Sequence, residues 1–94
     1  MFSWDIRKAI LNFEKHGVSF EEAVTAFDDE DGLDWEDIDH SDTENRRKRL
    51  AESHQGRILL IVYTSRSLKN GKETTRIISA RRASQREREA YDGQ

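Results

Sequence analysis

The sequence predicts a small α+β fold in which helices cover one face of an antiparallel sheet. Three observations predict it. Apolar residues recur at helical spacing twice before residue 30, and each run is bounded by capping signals. The run from Arg57 to Thr64, Arg-Ile-Leu-Leu-Ile-Val-Tyr-Thr, is apolar at both parities, as expected of a central strand buried on two sides. Asn70-Gly71, the strongest short hairpin signal in the chain, separates that run from a second strand-like stretch at 74–81. The predicted order is two N-terminal helices, a meander of about four antiparallel strands and a C-terminal helix.

Each element has a local reason. In residues 5–16, Ile6, Ala9, Ile10 and Phe13 fall at i, i+3, i+4 and i+7, one stripe expected to face the core. Asp5 is placed to cap that helix and Gly17 to stop it. Residues 20–28 repeat the stripe with Phe20, Ala23, Val24 and Phe27, behind a Ser19…Glu22 capping box. From Asp28 to Asp42 the chain is acidic, anchored by Leu33 and Trp35. It reads as an edge strand near 33–38 whose carboxylates discourage edge pairing, or as a solvated loop. Residues 43–54 are ambiguous. Propensity favours a helix, whereas the Gln55-Gly56 turn favours a strand at 47–53 hairpinned onto the next one. Ser84 and Glu87 form a second capping box, opening a helix to about Tyr91. Trp4 and Trp35 are expected in the core, because aromatic residues are only 9% of the chain.

Composition limits how much this fold can bury. The chain has 94 residues, 34% hydrophobic and 37% charged, and its mean hydropathy is -0.96. Leu, Ile, Val and Phe together number twenty, just above the level at which disorder becomes the default. One domain spanning 1–94 is expected. There is no apolar run of ~18 residues, so no membrane span is expected. The stretch Met1–Lys8 has no apolar segment of the kind a secretory signal needs, so a cytoplasmic location is expected. Cysteine is absent, which removes disulfides, thiol nucleophiles and thiolate metal sites. Charge is unevenly divided. Residues 1–42 hold three basic and thirteen acidic side chains, and residues 43–94 hold thirteen basic and six acidic ones. The second half can present a positive face to phosphates, or the halves can neutralise each other across the fold.

Four segments carry a resemblance. Lys15-His16-Gly17-Val18-Ser19-Phe20-Glu21-Glu22-Ala23 resembles the K-H-G-V-S-F-E-E-A segment of the BrnT toxin family. His40-Ser41 with Glu44 and Arg46 resembles its H-S-x-x-E-x-R segment. Gly56 to Thr64 is similar to its G-R-x-L-x-V-V-x-T strand. Arg76 to Ala83, with Arg86, Glu87 and Tyr91, is similar to its R-I-I-S-A-R-x-A…R-E…Y ending. The resemblance implies a RelE-like fold, which favours a strand over 46–53. It also implies a type II toxin, a metal-independent ribonuclease that blocks translation. The implied partner is a BrnA-like ribbon-helix-helix antitoxin, and operator DNA would be met only through it. The Ser65–Glu73 loop is longer than the family's usual turn, and Leu50-Ala51 replaces an apolar-Gly pair.

The implied chemistry needs no cofactor. A neighbouring 2′-OH attacks phosphorus, so the site needs a base, an acid and cations for the crowded phosphate. Arginine suits the last task, because its planar fork matches phosphate oxygens and stays charged. The candidate catalytic residues are His40, Glu44, Arg46 and Arg81. The candidate RNA contacts are Arg57, Tyr63, Arg66, Arg76 and Tyr91. Strand parity places Arg57 with Tyr63 and Arg66 opposite, and Arg81 with Ile77 and Ser79 and Arg76 opposite. On that alternation the arginines cannot all serve one site. His40 is the acid–base candidate, with a capping role as its alternative. His16 ends a helix, where an imidazolium is structural, and His54 is expected to be solvated in a turn. Tyr63 can equally be core, and Glu44 can orient Arg46. His40, Asp42 and Glu44 as metal ligands are a weak set. The antitoxin is expected to lie across the basic face and occlude RNA. The alternative function is a non-catalytic RNA- or protein-binding module, or a corepressor acting through its antitoxin.

Overall fold

The computed structural model describes residues 1–40 and 45–94. In chain order these form β1 (Phe2–Ser3), α1 (Ile6–His16), α2 (Phe20–Thr25), β2 (Leu33–Glu36), β3 (Arg46–Glu52), β4 (Ile58–Ser67), β5 (Glu73–Arg82) and α3 (Gln85–Asp92). Short 3₁₀ turns cover Ala26–Asp28 and Ile38–His40. The sheet has five strands in the order β1-β5-β4-β3-β2. The fold is α+β as predicted, with a mixed sheet in place of the four-stranded antiparallel one. The added strand, β1, runs parallel to β5 through Phe2↔Thr75 and Ser3↔Arg76. Two residues have no periodicity to read. No helix among the described residues is long and apolar enough to cross a membrane.

The ambiguous stretch before Gln55 is a strand. β3 pairs antiparallel with β4 from Arg46↔Thr64 to Glu52↔Ile58, and with β2 from Leu33↔Leu50 to Glu36↔Arg47. Tertiary pairing outweighs the helical propensity of its arginines and lysine. The turn that follows is set by Gly56, at φ 78°, and by the Ser53 hydroxyl, which accepts from the Gln55 N–H at 3.2 Å. The predicted long loop at 65–73 is shorter than expected, because β4 runs on to Ser67 and β5 begins at Glu73.

Caps place the helices. The Asp5 carboxylate accepts from the Lys8 N–H at 3.2 Å, and Gly17 closes α1 at φ 68°. The Ser19 hydroxyl accepts from the Glu22 N–H at 3.0 Å, but the Glu22 carboxylate turns away to Arg57 and Ser53. The box is therefore complete only at α3, where Ser84 and Glu87 exchange both bonds. Each such cap contributes about 1 kcal/mol.

The rotation of α1 departs from its hydrophobic pattern. Ile6, Ile10 and Phe13 are exposed, while Asn12 is buried. The reason is the open edge of β5 beyond the two-residue β1. There the Asn12 side chain donates to the Ala80 carbonyl at 2.7 Å and accepts from the Ala80 N–H at 3.1 Å. It also donates to the Val18 carbonyl at 3.0 Å. Satisfying a buried strand edge outweighs burying three apolar side chains.

The core lies between α2 and the sheet. Val18, Phe20, Ala23, Ala26, Ala51, Leu59, Ile61, Tyr63, Ile77 and Ala80 form it, with Phe2, Trp4, Ala9 and Phe27 packed alongside. Burying each large side chain here contributes about 1.5–3 kcal/mol. Trp4 meets Phe20 edge-on at 5.9 Å. Trp35, by contrast, remains exposed on β2, contrary to its predicted core role.

One irregularity decides which basic side chains share a face. Between β4 and β5 the register jumps, from Val62↔Ser79 to Tyr63↔Ile77, so Ile78 is an extra residue on β5. Such a bulge resets which side chains share a face. Before it, Arg76 pairs with Thr64 and Thr75 with Ser65. After it, Ala80 pairs with Ile61 and Arg81 with Leu60. Arg76 and Arg81 thus share the face away from the α1–α2 layer. The strict alternation expected from sequence, which set them on opposite faces, is corrected by this single residue.

Candidate functional site

The face away from α1 and α2 collects the basic residues. A directly opposed row runs across three strands, Arg46 on β3, Thr64 on β4 and Arg76 on β5. Paired residues in antiparallel strands point to the same side. Lys48 lies two positions from Arg46 and so shares its face, opposite Trp35 on β2 and Val62 on β4. An open cleft of about 240 Å³ is lined by Asp37, Arg46, Lys48, Leu60, Val62, Ile78, Ser79 and Arg81. Asp37 is buried at its edge, and its N–H donates to the Arg46 carbonyl at 2.9 Å. This pairing continues the β2–β3 ladder by one residue, just before the turn Ile38–His40.

Two observations give the face its chemistry. Thr64 is 1% exposed, and its hydroxyl has no hydrogen-bond partner among the described residues. An unpaired buried hydroxyl costs free energy unless something bonds to it. Arg76, its half-buried neighbour, likewise shows no ion-pair partner among the described residues. Two arginines flanking a hydroxyl that lacks a partner match the oxygens of a phosphodiester.

Arg81 is differently placed. Its guanidinium donates both arms to Glu87 on α3, at 2.8 and 3.0 Å. The Glu87 carboxyl is lowered to about 2, chiefly by the Arg81 bond, from an ordinary value of 4.5. A depressed carboxyl pKa adds stability that is fully present above 4.5 and is lost as the pH falls from there toward 2. Melting temperature measured from pH 6 down to pH 2.5 is expected to fall less steeply in Glu87→Gln than in the parent chain. Equal slopes would remove this pair as a source of acid sensitivity.

The other expected site residues are placed as follows. His40 ends the 3₁₀ turn Ile38–His40. Glu44 lies outside the described residues. Arg66, two positions beyond Thr64, continues the same face on the projecting end of the β4–β5 hairpin, paired with Thr74. Arg57, expected as an RNA contact, lies on the helix-covered side. It is bound to the buried Glu22 through two nitrogens and donates to the Gly17 carbonyl at 3.1 Å. The Arg57 bond is also the largest cause lowering the Glu22 carboxyl, against the opposing effect of burial.

Tyr63 is core. Its ring meets Phe27 edge-on at 5.1 Å, and its hydroxyl donates to Asp34 at 2.6 Å. Burial first, then the Asp34 bond, pushes that hydroxyl up, away from proton transfer near neutrality. Arg49 completes this buried cluster, donating to Asp34 at 2.5 Å and to the Ala26 and Asp29 carbonyls. Tyr91 donates to Asp29 at 2.5 Å, fastening the end of α3, and this bond raises its pKa. Asp28, Asp29, Asp31 and Glu52 line the same cleft, a setting that repels phosphate. His54 reaches Asp28 at 2.9 Å in that acidic neighbourhood.

Sequence reading missed Asp37, Lys48, Thr64 and Ser79 on this candidate face. Only register reveals them, since each is an ordinary strand or loop residue in isolation. Trp35 was assigned to the core and instead stands half-open beside Lys48, where its ring is accessible to a base.

A family model described as the ribonuclease toxin BrnT of a type II toxin–antitoxin system matches residues 4–87. The chain belongs to the BrnT family. The crystal structure of the Brucella abortus ribonuclease toxin BrnT shares the fold, with a TM-score of 0.65 at 23% identity over 90% of this chain and 99% of that one. Comparison with curated proteins gives no match. Membership of the BrnT family makes this chain a toxin-family protein with an antitoxin as its partner.

Proposed function

We propose that this BrnT-family chain is a RelE-like toxin that cleaves RNA without a metal ion, blocks translation in the cytoplasm and is neutralised by a BrnA-like ribbon-helix-helix antitoxin. The observation that carries the reading is the row Arg46–Thr64–Arg76, two arginines flanking a buried hydroxyl with no partner among the described residues. The open face gathers Arg46, Lys48 and Arg81 beside the buried Asp37, and cations stabilise a crowded phosphorus directly.

In this reading one phosphate sits over the row. Arg46 and Arg76 hold its non-bridging oxygens, and Lys48 and Arg66 bind neighbouring phosphates. Trp35 stacks a base. The Asp37 carboxylate or the His40 imidazole takes the proton of the 2′-OH, and the 2′-oxygen bonds to phosphorus. The P–O5′ bond breaks, and the 5′-oxygen leaves with a proton supplied by an acid, with His40 and Glu44 as candidates. The products are a 2′,3′-cyclic phosphate and a 5′-hydroxyl. Arg81 steadies α3 at the margin of the cleft through Glu87. Arg57, Tyr63 and Tyr91 serve the fold and take no RNA contact. Operator DNA is reached only through the antitoxin.

The test is cleavage of single-stranded RNA by the purified chain in excess chelator, with the product ends identified. The reading expects undiminished cutting, cyclic phosphate and 5′-hydroxyl ends. Cutting that stops on chelation, or that leaves 5′-phosphates, contradicts the metal-free route. RNA binding with no cutting favours the non-catalytic module.

A further inference from the structure

The least expected surface lies across the sheet from the arginines. Ile6, Ile10 and Phe13 of α1 are 73%, 54% and 56% exposed. They fall at i, i+4 and i+7, so they form one continuous ridge two turns long. The ridge borders an apolar groove of about 430 Å³, lined by Trp4, Ile6, Ala9, Ile10, Phe13, Glu14 and Glu21. In a chain whose mean hydropathy is -0.96 this concentration is anomalous. Contiguous exposed apolar surface of this kind marks an interaction site.

The geometry points to this groove as the docking site of an amphipathic helical segment of the antitoxin, with lysine or arginine flanking its apolar residues. The partner follows from membership in the BrnT family, and the segment's chemistry follows from the groove. Apolar side chains at i, i+4 and i+7 on the incoming helix meet the α1 ridge, as in helix-in-groove recognition. The charged residues lining the groove are carboxylates, Glu14 and Glu21. They favour basic flanks and disfavour acidic ones. The same two carboxylates argue against a second copy of this chain, which would bring Glu14 and Glu21 against their own kind. Lys8 and Lys15 of α1 line a separate cleft, with Leu11 and His16.

This seat is distinct from the arginine face. Two parts of the antitoxin then have different tasks. A basic-flanked helix anchors on α1, and a second segment reaches the opposite side of the sheet to exclude RNA. Anchoring raises the effective concentration of the occluding segment. The inference rests on the toxin–antitoxin reading but not on the chemistry of cleavage.

The experiment uses the full chain with Ile10→Glu and Phe13→Glu, singly and together. The probe is the purified protein encoded by the reading frame adjacent to the toxin's own. Both side chains are exposed, so unchanged circular dichroism and melting are expected. Antitoxin affinity is expected to fall at least a hundredfold in the double variant. RNA cleavage by the free variant is expected to stay at the parent level and to persist when antitoxin is added at parent stoichiometry. Unchanged affinity overturns the proposal. So does a parent chain that sediments as a dimer alone and becomes monomeric in the double variant, because the groove then belongs to a second copy. If the parent chain cuts no RNA, the nuclease reading fails while the affinity comparison still decides the docking site.

Discussion

Arg76→Ala and Arg46→Ala are each expected to reduce RNA cleavage by the purified chain about a hundredfold or more, and Arg76→Ala is expected to do so with little change in melting temperature. The size follows from losing one cation aimed at charge that grows in the transition state, in a setting where such donors are individually worth 10²–10³ in rate. The small stability effect follows from position. Arg76 is half-buried, with no ion-pair partner among the described residues, so its removal strands no buried charge. Thr64→Val keeps the shape of the central side chain and removes its hydroxyl. Since that hydroxyl has no partner among the described residues, this variant is expected to melt at or above the parent temperature while binding RNA more weakly. Full cleavage by both arginine variants would move the phosphate away from this row.

Arg57→Ala is expected to do the opposite, destabilising the fold and leaving the cleavage rate of the folded fraction intact. Glu22 is 4% exposed, and its carboxylate is held by Arg57 and by the Ser53 hydroxyl at 2.7 Å. Removing the cation leaves a buried charge with one neutral donor, a loss of about 3 kcal/mol. For a domain of this length that corresponds to roughly 15 °C in Tm. The double variant Glu22→Leu, Arg57→Met removes both charges and is expected to recover part of the loss. A calorimetric scan checks both statements. An Arg57→Ala chain that melts like the parent yet fails to cut would return Arg57 to the RNA interface.

These paired expectations differ because of features that composition and periodicity expose unevenly. The Asp5, Gly17 and Ser84 caps were legible, since capping depends on residues within one turn. β4 was legible from its apolar residues at both parities, and the β4–β5 hairpin from Asn70-Gly71. The bulge at Ile78 was not. Ile77 and Ile78 are identical, so nothing in the sequence marks which of them leaves the ladder, and every face assignment downstream depends on it. The α1 stripe was legible as a stripe, but its direction was set by Asn12 bonding to Ala80, sixty-eight positions away. Glu22 read as a capping residue because its distant partner, Arg57, is visible only in the fold.

Short-range rules therefore located the helices and the central strands. Long-range register decided which residues meet at the candidate site. The arginines were recognisable as a basic half of the chain, yet their division between an open face and a buried ion pair follows from pairing across β3, β4 and β5. The family segments placed Arg46, Arg76 and Arg81 in one chain. They did not show that Arg81 is engaged by Glu87 while Arg76 stays open.

The most direct test of the phosphate row is the salt dependence of RNA binding. A single-stranded 2′-O-methyl RNA, which lacks the nucleophile, serves as the ligand. The slope of log affinity against log salt is measured for the parent chain and for Arg46→Gln, Arg76→Gln and Arg57→Gln. The open-face arrangement predicts that each of the first two reduces the slope by about 0.7, the value for one single-strand phosphate contact, and that Arg57→Gln leaves it unchanged. An unaltered slope in Arg46→Gln and Arg76→Gln, or a reduced one in Arg57→Gln, would contradict it.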